Sequence, residues 1–546
     1  MRATLRRHGL LLLTLAVAAV LRLWGLEWLP SPAGDEGNWT LYALRISRGQ
    51  AAALDANAAF VTLLYAHLIA KAMAVFGAGF FAARLVGTLA ILATVVVAYV
   101  VPTWLGSRRA GVALAALVAL HPWSVAYSRI CSVPYALAFA VGLAGSLLFM
   151  AGLRTQRMTL VVAGVLVVSL GAHFSPLTAA APAACGLYAL ARPHLWIWRR
   201  WPFYAAVAVA GLHAFPVLRS ALRVAGQAPP LDPLQHFWTG LGTYLHMITT
   251  GLAGEATLRH FTNLALDPWP ALLLAVPVVG VVAVASTSKA RAASPLGGFG
   301  PLSLLVAMVL TPLILAPGRE WDLPANHMDR YLLAALPGFA MCVASLASLG
   351  TRRATAAAVA FTAWFAVCDG RLAWAFLVHG GVDHGETIYD GGSGYRGWLV
   401  SDRPQAVAYQ IRDEILRIVG PEGAAILVAD RTFIPLTFVM EDSGIPVFDV
   451  RRTWIPPRRD GRYFILVWPD QVLSLGHPPT APRKYVESNQ QLRQRLETRF
   501  GRTRLVREFR QRNGAPLLEL WFADQPRTQR LSVALRGPEP ATPASE

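Results

Sequence analysis

Long apolar runs alternate with short polar connections through most of this chain. Eleven runs approach membrane-spanning length: about 8–26, 80–104, 109–127, 133–153, 158–173, 176–192, 201–218, 268–287, 300–316, 330–349 and 354–377. A helix needs about 20 apolar residues to cross the hydrocarbon core, so the pattern predicts a polytopic α-helical membrane protein. The run 59–77 is also apolar. Counting it as a span would invert every later connection, so it is read as an interfacial or re-entrant helix, with His67 and Lys71 on its polar side. If it crosses, the total becomes twelve or thirteen. After Phe376 the apolar runs shorten. A helix over 402–420, strands over 424–430, 445–450, 462–468 and 516–524, and a second helix over 489–500 then predict a soluble α/β domain.

Charge fixes the orientation. The connections "GSRRAG", "RTQR", "RPHLWIWRR", "STSKARAAS" and "TRRAT" all carry Lys or Arg. With the N-terminus inside, all of them are cytoplasmic. The opposite connections hold Asp35, Glu36, Asp55, Asp232, Glu255, Asp267, Glu320, Asp322 and Asp329. The expected organisation is a transmembrane domain over 1–378, with a first outer loop at 27–79, a soluble outer α/β domain over 379–525 and a disordered tail at 526–546. The initial "MRATLRR" precedes an apolar run with no small-residue cleavage pattern, so the first span is expected to stay. In a bacterium the protein would sit in the plasma (inner) membrane, with its soluble domain on the periplasmic side.

Composition agrees with this and closes off other classes. The chain has 546 residues, 55% of them hydrophobic, and a net charge of +18. Mean hydropathy is +0.44. Such a balance speaks against a soluble enzyme, and topology accounts for the basic excess, so no nucleic-acid partner is expected. The four cysteines lie in or beside apolar runs without metal-ligand spacing, as buried small hydrophobes do.

The candidate chemistry gathers at the outer ends. "SPAGDEGNWTLYALRISRG" follows the first span, and Trp39, Tyr42, Ala43 and Ile46 share one face of a helix there. That helix is expected to lie on the membrane surface with its aromatic face down. Asp35 falls at its start, where backbone N–H groups and the helix dipole favour the ionised carboxylate. A plain alternative is an N-cap Asp35 beside a solvated Glu36. Arg129, His173 and Arg330 fall at the same membrane level. An arginine at an outer helix start opposes the orientation bias and calls for an anionic partner, either Asp329 or Glu320, or a lipid phosphate. A carboxylate able to take a proton, with cations able to neutralise a departing phosphate, suits a reaction on a lipid-linked phosphate. No outer His, Asp and Glu spacing calls for a metal, and no cofactor is expected.

Several segments resemble, in order and membrane placement, the superfamily of protein O-mannosyltransferases and aminoarabinose transferases. These are "GDEGNWTLYALRISRG", "FGAGFFAARLVGTLA", "YSRICSVPYAL", "GAHFSPLTA" and "DRYLLAALPGFAM". The resemblance covers about 1–350. It implies a type C glycosyltransferase fold and a polyprenyl-phosphate-linked sugar as donor. The acceptor would be an envelope lipid, glycan or protein. It further implies Asp35 as catalytic base in an inverting single displacement, with Glu36 orienting the acceptor or Asp35. Arg129 and Arg330 are the phosphate candidates. His173, Tyr65, Arg84 and Tyr331 are further candidates. Two other classes compete, a transporter or flippase of lipid-linked sugars and a non-catalytic assembly protein. A carrier calls for mid-span charges and paired repeats, and no repeat is visible.

Overall fold

The computed structural model describes residues 2–27, 34–50, 64–131, 134–225, 233–262, 268–296, 298–315, 330–378, 407–419, 425–428, 434–449, 462–467, 503–510 and 516–524. The chain divides into two compact units, Met1–Glu27 with Tyr42–Trp374, and Trp28–Leu41 with Ala375–Glu546.

The first unit is helical. Its elements begin with α1 (Arg2–Leu23), α2 (Gly34–Ser47, which crosses between the units), α3 (Leu64–Phe76), α4 (Phe80–Trp104), α5 (Arg108–Leu120) and α6 (Pro122–Ser128). They continue with α7 (Tyr135–Thr155), α8 (Met158–Leu170), α9 (Ala180–Leu190), α10 (Trp201–Ala225), α11 (Pro233–Gly251) and α12 (Glu255–Thr262). The last are α13 (Pro268–Ala285), α14 (Ser288–Ala293), α15 (Phe299–Leu315), α16 (Leu332–Ser348) and α17 (Arg352–Val378). Every apolar run of the sequence contains a helix. Among the described residues, three helices are long and apolar enough to cross a membrane, or four if the bent pair α5–α6 is one span.

Beside a largely apolar interior, many large apolar side chains are exposed and a few polar ones are buried. Leu212 is 76% exposed, Val75 74% and Leu273 69%, whereas Arg22, Arg84, His121 and Ser124 are fully buried. An apolar exterior of this kind faces lipid without cost, and the polar groups then have to satisfy one another inside.

Small residues let the helices approach closely. A Cβ on Gly145 would meet Val168 Cγ1 at 2.6 Å, and one on Gly164 would meet the Phe149 nitrogen at 2.5 Å. The hairpin of α7 and α8 is therefore a backbone-to-backbone contact of the kind that lipid-embedded helices favour. Gly338 does the same for α15 and α16, where a Cβ would come within 2.6 Å of the Leu304 nitrogen.

One break interrupts a span. Between α5 and α6 the axis bends by 53° at His121, which closes α5 and caps α6. The Trp123 N–H donates to His121 Nδ1 (3.2 Å), so Nε2 carries the proton and donates to the Leu252 carbonyl (3.2 Å). Pro122 occupies the first position of α6, where a missing N–H is harmless.

Two helices of this unit were not expected from the sequence. The region 233–262 was assigned to an outer loop, but α11 and α12 fill it. Gly240, Tyr244, Met247, Ile248 and Gly251 form the buried stripe of α11. Their helical spacing is present in the sequence, but interspersed Gln, His, Thr and Gly dilute its hydropathy.

The second unit carries a five-stranded mixed sheet of strands β1 (Ala425–Val428), β2 (Val447–Asp449), β3 (Arg462–Val467), β4 (Thr503–Arg510) and β5 (Pro516–Asp524). Their order is β2-β1-β3-β5-β4. β1 pairs parallel with β2 and β3, while β5 pairs antiparallel with β3 and β4. The helix Val407–Val419 buries Ile411 and Ile415, one turn apart. Strand β4 was missed because its arginines mask the alternation, although charge on an edge strand is ordinary protection against edge pairing. The expected helix over 489–500 and the tail 526–546 lie outside the described residues, as do Asp55, Asp232, Asp267, Glu320, Asp322 and Asp329.

Candidate active site

The acidic pair lies in the second unit. Helix α2 begins at Gly34, which places Asp35 and Glu36 in its first turn. The Asp35 side chain lies outside the described residues. Glu36 is fully buried, not solvated as the plain alternative had it. A carboxylate is removed from water only where its charge is answered, so full burial marks Glu36 as a working part of the fold.

The surface-lying helix expected here needs correction. Trp39 and Tyr42 are buried, but so are Thr40, Leu41, Ala43 and Leu44, so α2 is enclosed on nearly every side. The Thr40 hydroxyl donates to the carbonyls of Glu36 (2.7 Å) and Gly37 (3.0 Å), which satisfies it within the helix and lets that face be buried too.

In the first unit, three buried arginines hold the end of α1, which leads in sequence to α2. Arg22 sits in the last turn of α1. Its Nη1 donates to Ala18 O (3.2 Å) and Ala119 O (2.8 Å), and its Nη2 donates to Val118 O (3.1 Å) and Ser124 Oγ (3.0 Å). Arg129, at the end of α6, donates from Nη1 to Leu21 O (2.5 Å) and from Nη2 to Trp24 O (2.7 Å). Arg84 on α4 donates to Leu26 O (3.0 Å). The guanidinium of Arg129 lies within Coulombic reach of those of Arg84 and Arg22. Tyr65, on α3, is 1% exposed.

A second cluster surrounds Arg330. Its Nη2 donates to the Tyr331 hydroxyl (2.7 Å), and its guanidinium stands 4.8 Å from that ring's centre. Tyr244, from the unexpected helix α11, donates its hydroxyl to the Tyr331 carbonyl (3.2 Å). His173 closes a 3-10 turn after α8 and pairs with His213 of α10, Nε2 to Nε2 at 2.6 Å. Of the residues singled out in the sequence, Arg84 and Arg129 thus stand together, as do Arg330 and Tyr331, while His173 has a partner of its own. Among the described residues, no three His, Cys, Asp or Glu side chains are grouped to hold a metal ion.

Sequence reasoning missed Arg22, Asp369, Tyr244 and His213. For the first two a signal was present. Each is an ionisable residue within an apolar run, a position kept only for a purpose.

No family model and no curated protein matches the chain. Solved structures do. ArnT from Cupriavidus metallidurans bound to undecaprenyl phosphate is 14% identical, with a TM-score of 0.50 over 94% of this chain and 98% of that one. The apo state of the same enzyme is 14% identical, with a TM-score of 0.46 over 99% of this chain and 100% of that one. The likeness is one of fold. The chain is built like aminoarabinose transferase, a type C glycosyltransferase, the fold that the sequence motifs implied.

Proposed function

We propose that the protein is a membrane glycosyltransferase that moves a sugar from a polyprenyl-phosphate donor to an envelope acceptor. The observation that supports this most is Glu36, a fully buried carboxylate beside Asp35 in the first turn of the helix that follows α1. A solvated loop pair would not be held in this way. The likeness of fold to ArnT agrees with the reading.

In this reading Asp35 takes the proton of the acceptor nucleophile. The nucleophile attacks the anomeric carbon, and the bond from that carbon to the phosphate oxygen breaks with its electron pair. Polyprenyl phosphate leaves and the anomeric configuration inverts. Glu36 orients Asp35 or the acceptor. Arg330, carried beside the Tyr331 hydroxyl, is our choice for the departing phosphate. Arg129 gives both terminal nitrogens to backbone carbonyls, so its part is to hold the loop entrance. The proposed topology has eleven spans, with α2, α3, α11 and α12 on the outer side. The soluble α/β domain stands on that side too, in a bacterial plasma membrane.

Asp35→Asn tests the reading. In purified, folded protein supplied with polyprenyl-phosphate sugars, loss of a general base lowers transfer by about 100-fold or more. Transfer that persists at the wild-type rate overturns the mechanism.

A further inference from the structure

His173 and His213 stand 40 residues apart in the chain and meet Nε2 to Nε2 at 2.6 Å. The meeting is inclined. The ring planes cross at 55°, and the ring centres are 4.1 Å apart. A head-on N–H···N bond at that nitrogen distance would add a full ring radius on each side and hold the centres farther apart. His173 is set by its backbone. It ends the 3-10 turn Gly171–His173, and the Gly171 carbonyl accepts from the Phe174 N–H (2.9 Å) and the Ser175 N–H (3.0 Å). The Thr178 hydroxyl donates to the Ser175 carbonyl (2.5 Å). The turn then folds against Gly171 so closely that a Cβ there would meet Thr178 Cβ at 2.7 Å. His213 comes from α10, which packs along α8. It is exposed, and so are the apolar Val209, Leu212 and Phe215 around it. An imidazole among exposed apolar side chains of a lipid-embedded unit is costly to keep, and such a residue marks a site.

We propose that His173 and His213 together bind a zinc ion. Imidazole nitrogen suits late first-row metals, whereas magnesium and calcium prefer oxygen. Zinc has no geometric preference from its d electrons, so it accepts a pair of ligands whose spacing the fold has set. Two nitrogens each about 2.1 Å from a tetrahedral zinc stand roughly 3.3 Å apart. The pair reaches that spacing by a small outward rotation of the exposed His213. In the neutral pair one Nε2 donates its proton to the other. When the ion enters, that proton moves through water to Nδ1 of its own ring, and both Nε2 lone pairs turn to the metal. Two protein ligands leave the remaining positions to water or to an anionic oxygen, so the site is open. The 40 residues between the ligands hide the pair from any reading of local spacing. The inference does not depend on the transferase reading.

The test uses the full chain, purified without a polyhistidine tag, placed in lipid nanodiscs and stripped with a chelator. Titration calorimetry with zinc chloride should find about one zinc bound per chain more tightly than any other. His173→Gln and His213→Gln keep a group that can hydrogen-bond to the remaining imidazole but remove a metal ligand. Each should weaken that binding by about 10-fold or more, since even loss of a ligand's supporting group costs 10- to 100-fold. Melting curves should show both variants folded, as expected of a substitution at an exposed or half-exposed position. X-ray absorption of the zinc-loaded wild type should show two imidazole nitrogens at about 2.0–2.1 Å. Wild type without such a zinc, binding unchanged in both folded variants, or fewer than two imidazoles on the ion overturns the proposal and leaves the pair a hydrogen-bonded clasp between α8 and α10. Sugar transfer enters none of these readouts, so failure here leaves the transferase reading standing.

Discussion

Arg22 and Arg129 tie the end of α1 to the corner formed by α5 and α6, one from each side. Arg22 leaves α1 to answer the carbonyls of Val118 and Ala119, which the break after α5 sets free. Arg129 leaves the end of α6 to answer Leu21 and Trp24, which the end of α1 sets free. Helix ends always leave carbonyls without intrahelical partners, and in a lipid-embedded unit water is scarce to take them. Each arginine supplies donors to carbonyls that a helix end on the other side leaves open.

Arg129→Lys should show the value of this arrangement. A single ammonium on a flexible stem does not reproduce a planar fork across two carbonyls. The expected loss is about 2 kcal/mol, the scale of hydrogen bonds to a charged group. A fall in thermal midpoint in detergent, larger for Arg129→Ala, checks it. An unchanged midpoint in both variants would mean that the bonds to Leu21 and Trp24 contribute nothing.

Gly164→Ala tests the contact between α7 and α8. Its Cβ would lie 2.5 Å from the Phe149 nitrogen, and backbone cannot yield as a flexible side chain does. Overpacking of this kind costs about 1–3 kcal/mol. Gly186→Ala, where nothing lies within 4 Å of the new Cβ, should be neutral in the same melting experiment.

Tyr244→Phe removes the hydroxyl that donates to the Tyr331 carbonyl. Stability should drop by about 1 kcal/mol. On the transferase reading, the donor KM rises more than kcat falls, because Arg330 and Tyr331 are loosened without touching the base. Steady-state kinetics with varied donor concentration separates the two.

Glu414 gives the soluble unit a pH dependence of known sign. It receives Arg417 and Arg507, the latter from β4 at 3.1 Å, and the hydrogen bond from Arg417 holds its carboxyl below the usual glutamate range. The folded state binds this proton less readily than the unfolded state does. The stabilisation is therefore complete above the unfolded value of about 4.3 and is lost as pH falls through the lower folded value. Glu414→Gln should lower the melting midpoint of the sheet at pH 7, with the deficit shrinking as pH falls through the carboxylate range. A deficit that does not change with pH would point to another cause.

Much of the fold could be read from local pattern, because a lipid-facing helix declares itself through length and apolarity. The acidic pair at the start of α2 was legible for the same reason, since turn and face lie within a dozen residues. The enclosure of α2 was not, as Thr40 looks polar until its own backbone is seen to satisfy it. Helix α11 hid behind glycine, threonine and histidine, and β4 behind its arginines. Hardest to see was the relation of Arg22 to Val118 and Ala119. Arg22 is one unusual residue in an apolar run, and nothing local says which distant partner it meets.

The break at His121 also bears on how the chain is made. Arg22 precedes its acceptor Ala119 by 97 residues. When α1 enters the bilayer, the Arg22 guanidinium has no such acceptor and snorkels toward the membrane interface. It can turn inward only after the α5–α6 corner has been synthesised and inserted. Helix α1 thus takes its final place only after α5 and α6 have formed.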